Sequence, residues 1–374
     1  MKMLYLARRP IPSVNANSVQ IVTMCEAFAA LGHEVTLVAH PGDDAPDTIY
    51  ERYGVARDFA IETLPRHGQT ARKWRYLLEL GPLERRLEPD LLFGRDIWSL
   101  VRLAGRGKPL IYEAHIIPRT GSIRWRLLRH LFSRPNFAHL VCVTSTLAEL
   151  YRAQFPELAG RPVLVAPNAA SEPVDDGAPL PWPGRPGHLQ VGFVGRPFPG
   201  KGIEALAAAA NDLPDADFHI IGSARADVTW IADPLPPNLH FHGYQLHGVL
   251  GRFYRYLDVA AAPYGATVQN ASGAESAAIT SPLKLIESMA AGLPAIVSDL
   301  PGVRDMVPHG EGVLLIPPGD RQALVAAIRT LSDRAVRQEV AAAARRAYEE
   351  RHTAEARARK VLGRFADRRK ADAA

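Results

Sequence analysis

Residues 2–39 of the 374-residue chain read KMLYLARRPIPSVNANSVQIVTMCEAFAALGHEVTLVA. An apolar run at residues 2–6 predicts a strand, and the helical period of apolar residues between positions 18 and 31 predicts a helix. Gly32 is placed to end that helix, and EVTLVA at residues 34–39 predicts a second strand. Strand, helix and strand in this order form a βαβ unit, which indicates a parallel sheet.

The same alternation continues along the chain, stops once and then starts again. Residues 171–187 are rich in proline, glycine and aspartate, which is typical of a linker, and residues 188–345 repeat the alternation. We therefore predict the α/β class, with two Rossmann-like, doubly wound domains (residues 1–170 and 188–345) facing each other across a cleft. We expect the charged helical segment 346–374 to cross back to the first domain.

Composition and charge limit the kinds of protein that fit this sequence. Cys25 and Cys142 lie in apolar runs, which favours buried thiols over a disulfide framework. No leader-like N-terminus and no uncharged apolar stretch of membrane-spanning length is found, so we expect a cytoplasmic protein. The net charge of +5 is concentrated in residues 1–170, where 22 Lys and Arg face 16 Asp and Glu. An acidic partner is expected for that half, but not nucleic acid, since no zinc spacing or RNA-binding motif is present.

Five arginines and no acidic residue lie in residues 119–134. Trp125, Leu128 and Phe132 can share one helical face there, and basic amphipathic helices bind anionic membranes. The sequence leaves two alternatives open. The segment either contacts the inner face of the plasma membrane peripherally, or forms a helix that packs on the first domain with solvated arginines.

The second half contains VGFVGRPFPGKG at residues 191–202. A hydrophobic strand ends at Gly195, Arg196 and Lys201 flank a short loop, and Gly202 opens a helix. Glycines allow the backbone to approach a ligand closely, and two cations can hold an oxyanion such as a diphosphate. The same spacing is equally typical of a βα turn with two solvated cations.

A second motif, SPLKLIESMAAGLP, occupies residues 281–294. Ser281 can cap a helix and Pro282 suits its first position, so that the amides of Leu283 and Lys284 point out of the helix start as an anion site. Glu287 lies among apolar residues, where a carboxylate needs a partner. A ribose diol would satisfy it, and so would water or an arginine.

Taken in order, these motifs and several others resemble the retaining glycosyltransferases of family 4, which have the GT-B fold. The resemblance rests on GHEV at residues 32–35, Glu113-Ala-His115, Ser145, Pro167-Asn168, the Gly195–Gly202 loop and Glu287 followed by SMAAGLP. It covers nearly the whole chain. The set is specific, whereas no single member of it would be.

The resemblance implies an activity and a role for each matched residue. The first domain would bind an acceptor and the second a UDP- or GDP-linked sugar, which moves with retention to a saccharide or lipid-linked acceptor in bacterial glycan synthesis. His115, Arg196 and Lys201 would be catalytic, with no cofactor and no metal. Binding of the donor would involve Glu287, Lys284, Leu283, Pro282, Ser281, Gly195, Asn17, Ser18 and Tyr244.

Two departures from the family pattern concern the donor. Ile279 stands where the Glu-x7-Glu motif has its first glutamate, so that Lys284 and the nearby backbone would take over in this Ser-Pro-Leu-Lys variant. The N-terminal loop lacks paired glycines, and Asn17 and Ser18 would present amides to a phosphate instead. The polar loop at residues 269–280 is predicted to be a flap over the sugar.

Asp215 and Asp217 imitate a metal-binding Asp-x-Asp motif, but their flanks are typical of a surface turn, and we expect no metal there. Two other functions stay open at this point. One is a sugar-nucleotide epimerase of the same fold, which needs more acid and base residues around the sugar than His115. The other is a non-catalytic scaffold that binds nucleotide sugars.

Overall fold

A computed structural model describes residues 1–42, 44–65, 72–268 and 277–373. The chain divides into two units, the first formed by residues 1–167 and 354–374 and the second by residues 168–353. Most of the predicted flap, residues 269–276, lies outside the described part. None of the helices described is both long and apolar enough to cross a membrane.

The first unit contains a seven-stranded sheet in which every neighbouring pair is parallel, in the order β3-β2-β1-β4-β5-β6-β7. Its strands are β1 (Lys2–Ile11), β2 (Glu34–Pro41), β3 (Ala60–Thr63), β4 (Leu91–Gly94), β5 (Leu110–Ala114), β6 (Phe137–Cys142) and β7 (Val163–Val165). Its helices are α1 (Ala16–Ala30), α2 (Ile49–Tyr53), α3 (Arg72–Leu87), α4 (Ile97–Leu103), α5 (Ile123–Phe132) and α6 (Ser145–Gln154). The order, in which β1 lies between β2 and β4, is that of a doubly wound sheet.

The last helix of the chain, which we label α13 (Ala354–Ala373), belongs to this first unit. Its apolar residues Ala358, Val361 and Phe365 lie in the same buried cluster as Phe28 of α1 and Phe93 of β4. An apolar stripe on a surface helix needs such a sheet or helix face to cover it. One wall of the first unit's core therefore comes from a helix that follows the whole second unit in the sequence.

The second unit repeats this architecture with a six-stranded parallel sheet in the order β10-β9-β8-β11-β12-β13. Its strands are β8 (Leu189–Val194), β9 (Ala216–Ile221), β10 (Leu239–Phe241), β11 (Val259–Ala262), β12 (Ala295–Ser298) and β13 (Val313–Ile316). Its helices are α7 (Ile203–Asp212), α8 (Leu250–Tyr254), α9 (Leu283–Ala290), α10 (Pro301–Arg304), α11 (Arg321–Ser332) and α12 (Arg334–Ala347). Both sheets confirm the predicted α/β class with two Rossmann-like domains.

Alternate residues of the second sheet enter two separate cores. Val194 of β8 and Ala260 of β11 belong to one buried cluster, whereas Phe193 and Val259 on the same strands belong to another. Since side chains alternate across a strand, the two clusters lie on opposite faces. Helices cover both faces, which is why these strands are almost continuously apolar.

Residues 171–187, predicted as a linker, lie within the second unit rather than between the units. Trp182 stacks on His219 of β9, with ring centroids 4.1 Å apart, and also on His242 and Tyr256. The Trp182 indole donates a hydrogen bond to Gln190 Oε1 at 3.0 Å. The segment has a linker's composition, but its one large aromatic residue, Trp182, packs it against residues of β8 and β9.

Helix α5, which holds most of the basic segment, packs its apolar face against its own unit. Phe132 lies 5.1 Å from Phe137 and 5.2 Å from Phe155 between ring centroids, and it is fully buried. Arg129 lies over the Trp125 ring and pairs with Glu157. This arrangement supports the packed-helix alternative, because the face that a bilayer would need is used inside the domain.

Phe132→Ala should therefore lower the free energy of unfolding by about 3–5 kcal/mol, because a large side chain is lost from a close-packed cluster. Urea denaturation followed by circular dichroism measures this change. Ile123→Ala, at a 61% exposed position of the same helix, is the matched control and should change stability by less than about 0.5 kcal/mol. Equal effects of the two variants would contradict this packing of α5.

Candidate functional site

The loop between β8 and α7 is shaped by three glycines. Gly195 and Gly202 have φ values of +136° and +104°, which other residues rarely adopt. A Cβ on Gly202 would lie 2.4 Å from the Pro263 carbonyl oxygen, and one on Gly200 would lie 2.3 Å from that of Thr267. The loop therefore requires glycine for two reasons. Its backbone angles are ones that other residues rarely adopt, and it lies very close to the backbone at Pro263 and Thr267.

The two cations predicted in this loop lie on one aromatic ring. Arg196 and Lys201 lie with their charged groups 5.5 and 4.7 Å from the centroid of Phe198. Burial, followed by repulsion from Arg196, lowers the pKa of Lys201. The loop thus concentrates positive charge at the carboxyl end of β8, where ligands bind in such sheets.

Lys284, on the first turn of α9, brings a third positive charge to the same strand end. Its Nζ lies 3.6 Å from the centroid of Phe193, and its Cε is 3.4 Å from the point where a Cβ on Gly195 would stand. The ammonium is buried and has no hydrogen-bond partner among the residues described. Burial, and then the nearby Lys201, lowers the pKa of Lys284 well below its usual value, while Glu287 acts in the opposite direction.

Ser281 does not cap α9, contrary to the sequence prediction. Pro282 is the N-cap residue, with extended backbone and no side-chain cap. The Ser281 hydroxyl accepts the amide of Asn168 at 3.0 Å, and the Ser281 carbonyl accepts the Asn168 side chain at 2.7 Å. The amides of Leu283 and Lys284 stand in the first turn, where backbone N–H groups have no partner within the helix.

Glu287 is buried on α9 and has two protein partners that sequence reasoning missed. His247 lies with Nε2 2.8 Å from one carboxylate oxygen, and the Tyr254 hydroxyl donates to the other at 3.4 Å. A carboxylate has about four lone-pair positions, so Glu287 can still accept two hydrogen bonds from a diol. The histidine lies 40 residues before Glu287 and in no recognisable motif, so no local pattern of residues indicates it.

Tyr244 follows Gly243, whose amide and carbonyl pair with Ser223 and Gly222 beyond the end of β9. The tyrosine is 46% exposed. Its position at the carboxyl edge of the second sheet agrees with the predicted contact to a nucleotide base. That contact itself stays a prediction.

In the first unit, the residues around His115 form one charged network. His115 Nε2 lies 2.6 Å from Oε1 of Glu113, which is at the end of β5. The other carboxylate oxygen forms an ion pair with Arg357 Nη2 at 3.0 Å, and Arg95 Nε lies 3.7 Å from Oε1. Sequence reasoning found only His115 and its neighbour, because Arg357 belongs to α13 and lies more than 240 residues away.

The network fixes the charge of its members. Burial alone would raise the pKa of Glu113, but Arg357 and then the hydrogen bond to His115 hold it below its usual value. Burial, followed by Arg95, lowers the pKa of His115 to about 4. Near neutral pH, Glu113 is therefore ionised and His115 is uncharged.

Asn17 and Ser18 differ in how well they fit the predicted phosphate role. Helix α1 begins at Ala16, and the amide of Ser18 already donates to the Asn15 carbonyl at 2.9 Å. The Ser18 hydroxyl is 2.6 Å from that of Ser13, inside the protein. The Ser18 amide is thus not the free donor we expected, whereas Asn17 stands in the first turn.

Asp217 is buried in β9 rather than placed in a surface turn. Arg185 donates to it from its backbone amide at 2.6 Å and from its side chain at 2.9 Å. Among the residues described, no group of three potential ligands has the arrangement of a metal site. The Asp217 carboxylate therefore binds Arg185 and so attaches residues 171–187 to the sheet.

Lys284→Met should raise the free energy of unfolding at pH 7 by about 1–3 kcal/mol, because a buried amine without a hydrogen bond is replaced by an apolar chain. Since the folded state lowers the pKa of Lys284, the unfolded chain binds more protons between the two pKa values, and parent stability rises with pH there. The gain should therefore shrink toward pH 10. Denaturation at several pH values measures it, with Lys108→Met as control; a gain independent of pH would contradict the assignment.

Comparisons with known proteins cover both units. Residues 18–171 match the model of Glycosyltransferase Family 4, and residues 188–334 match that of Glycosyl transferases group 1. A GDP-mannose-dependent alpha-mannosyltransferase of Mycobacterium tuberculosis is 27% identical, over 86% of this chain and 85% of that protein. A phosphatidyl-myo-inositol mannosyltransferase of Mycolicibacterium smegmatis is 27% identical, over 82% of this chain and 78% of its own length.

Solved structures show the same fold at low identity. Sucrose-phosphate synthase from Thermosynechococcus elongatus matches with a TM-score of 0.71 and 19% identity over the whole of both chains. WaaG, a glycosyltransferase involved in lipopolysaccharide biosynthesis, matches with a TM-score of 0.65 and 15% identity over 96% of this chain and all of its own. With two Rossmann-like units, two matching family models and relatives along most of its length, the chain belongs to glycosyltransferase family 4 and has the GT-B fold.

Proposed function

We propose that this protein is a retaining, metal-independent mannosyltransferase that transfers mannose from GDP-mannose to a saccharide or lipid-linked acceptor. The observation that carries the proposal is the buried ammonium of Lys284, which lacks a hydrogen-bond partner in the described part of the chain. Lys284 belongs to the first turn of α9, and its ammonium reaches to the backbone at Gly195 in the glycine loop. A bound diphosphate would give this charge the acceptors that the protein does not provide.

The charge of the site matches a nucleoside diphosphate. Arg196, Lys201 and Lys284 lie at one strand end, and Glu287 is the carboxylate that interacts with Lys284 there. A diphosphate carries negative charge that three cations and helix-start amides can balance in a partly buried site. Glu287 is held ready for a ribose diol by His247 and Tyr254.

The same charges serve the chemical step. The bond between the sugar's anomeric carbon and the diphosphate oxygen breaks, and the acceptor oxygen bonds to that carbon on the same face. The acceptor proton moves to the departing phosphate oxygen, so that atoms and charges balance. The cations stabilise the negative charge that grows on the diphosphate, the task that a metal ion performs in other enzymes.

GDP-mannose is proposed because two similar proteins, one of Mycobacterium tuberculosis and one of Mycolicibacterium smegmatis, are named GDP-mannose-dependent alpha-mannosyltransferases. Both are alpha-mannosyltransferases at 27% identity along most of this chain. An α-linked donor that yields an α-linked product is transferred with retention, which is the stereochemistry proposed. His115, uncharged near neutral pH, is proposed to accept a hydrogen bond from a sugar hydroxyl.

GDP should raise the melting temperature of the protein in the presence of EDTA, and UDP, ADP and CMP should raise it less, because a ligand that binds only the folded state stabilises it. Thermal denaturation at a fixed ligand concentration measures this. The Lys284→Met variant lacks the proposed diphosphate contact and should lose most of the increase in melting temperature that GDP causes. If none of these nucleotides changed the melting temperature, the diphosphate assignment would be wrong and a non-catalytic scaffold would be favoured.

Turnover distinguishes the remaining possibilities. The donor is GDP-mannose, and the acceptor is either methyl α-mannoside or phosphatidylinositol in vesicles. GDP should be released only when an acceptor is present. The one-bond carbon–proton coupling at the anomeric carbon of the product, measured by NMR, should show an α-linkage. Conversion of the donor without acceptor would favour an epimerase. If GDP binds but no sugar is transferred, either these acceptors are not substrates or the protein is not catalytic.

Glu287→Gln should weaken GDP binding by about 1–3 kcal/mol, which is roughly 5- to 150-fold, because one charged acceptor of the ribose diol is lost while packing is kept. Isothermal titration calorimetry measures the affinity. Glu339→Gln, on the exposed side of α12, is the control and should bind normally. Normal affinity of the Glu287 variant would exclude it from the ribose site.

A further inference from the structure

The C-terminal helix contributes a buried charge to the site of the first unit. Arg357 of α13 is only 3% exposed, which is unusual for an arginine. Its Nε donates to the Pro167 carbonyl at 2.7 Å and its Nη2 to the Ala166 carbonyl at 3.1 Å. Both carbonyls follow β7, at the same sheet edge as the end of β5.

The same guanidinium faces Glu113. Nη2 of Arg357 lies 3.0 Å from Glu113 Oε2, while Oε1 of that carboxylate is 2.6 Å from His115 Nε2. A fully buried carboxylate is stable only when it is paired, and the Glu113 side chain has no exposed surface. Arg357 is therefore the closest cation that keeps Glu113 charged, with Arg95 at 3.7 Å as the second.

We infer that Arg357 is a positioning residue, which through Glu113 holds His115 as the uncharged Nε2–H tautomer and leaves Nδ1 to accept a hydrogen bond from substrate. An ionised carboxylate is an acceptor only, so a neutral His115 must donate its Nε2–H to it. Nδ1 then carries the lone pair. The inference rests on the proposed role of His115 in sugar binding.

Several other charged or titratable groups face this pair. They are Tyr5 on β1, Arg95 after β4 and Cys142 on β6, in addition to Arg357 on α13. Arg95 also donates to the Asn17 carbonyl at 3.3 Å, which connects the network to the start of α1. Burial, Arg95 and Arg357 all lower the pKa of His115, and Glu113 opposes them, with a resulting value of about 4.

Replacement of Arg357 therefore has a predictable sign. Without this cation, protonated His115 is less disfavoured and the pKa of Glu113 also rises, so both groups take up protons at higher pH. The acid limb of the pH profile of kcat/KM should move upward by at least one pH unit in Arg357→Gln. At pH 7, kcat should fall at least tenfold while the melting-temperature shift with GDP is unchanged, since that nucleotide is proposed to bind the second unit.

Two variants of the same helix complete the enzymatic test. Arg357→Lys keeps the charge but not the fork that joins Glu113 to two carbonyls, so it should keep the acid limb near its parent position with a reduced rate. Arg359→Gln, two residues away and exposed, is the matched control and should be normal in both. An unshifted acid limb in Arg357→Gln would overturn the inference.

The parent protein provides a test that needs no enzymatic activity. In protein labelled with 15N-histidine, the His115 ring, assigned by its loss in His115→Gln, should show the neutral Nε2–H tautomer from pH 5 to 8. The Nδ1–H tautomer, or a doubly protonated ring at pH 6, would overturn the inference. If the ring of parent protein shows the expected tautomer, and if the Arg357→Gln variant loses it, the positioning role of Arg357 stands even when no sugar is transferred and the proposed function fails.

Discussion

The proposed donor site depends on a buried charge to which the described residues of the chain offer no hydrogen bond. The ammonium of Lys284 is enclosed by Phe193, Tyr264 and the backbone at Gly195, in a region already made positive by the glycine loop. Such an arrangement costs folding free energy, because a buried cation has lost its water and gained no acceptor. A bound anion would supply that acceptor, which is why the proposed site suits a diphosphate.

In the first unit, the buried charge is negative, and groups of the protein balance it. Its buried charge is the carboxylate of Glu113, and it is compensated by two arginines and a histidine from three different parts of the chain. The charge of Glu113 is thus balanced by groups of the protein itself, although Glu113 Oε2 and Arg357 Nη1 have no hydrogen-bond partner among the residues described. The comparison explains why a neutral, pre-oriented histidine is expected in one unit and an unsatisfied cation in the other.

The sequence was sufficient for the parts of the fold that depend on local pattern. The βαβ unit at the start, the strand–glycine–helix at residues 189–212 and the helix that carries Glu287 all follow from apolar periodicity and glycine placement. Strand β3 was missed because AIET has too little apolar pattern at a half-exposed edge. Ser281 was misassigned and His247 and Arg357 were missed for one reason, since their partners lie 40 to 244 residues away and no local spacing encodes them.

The position of α13 has a consequence for biosynthesis. Residues 168–353 are contiguous, so the ribosome delivers every strand and helix of the second unit before the first unit has its last helix. Until Ala358, Val361 and Phe365 emerge, the nascent N-terminal sheet exposes the apolar surface that these residues cover. The first unit, although its strands precede the second unit in the sequence, can therefore be completed only after the second unit has been synthesised.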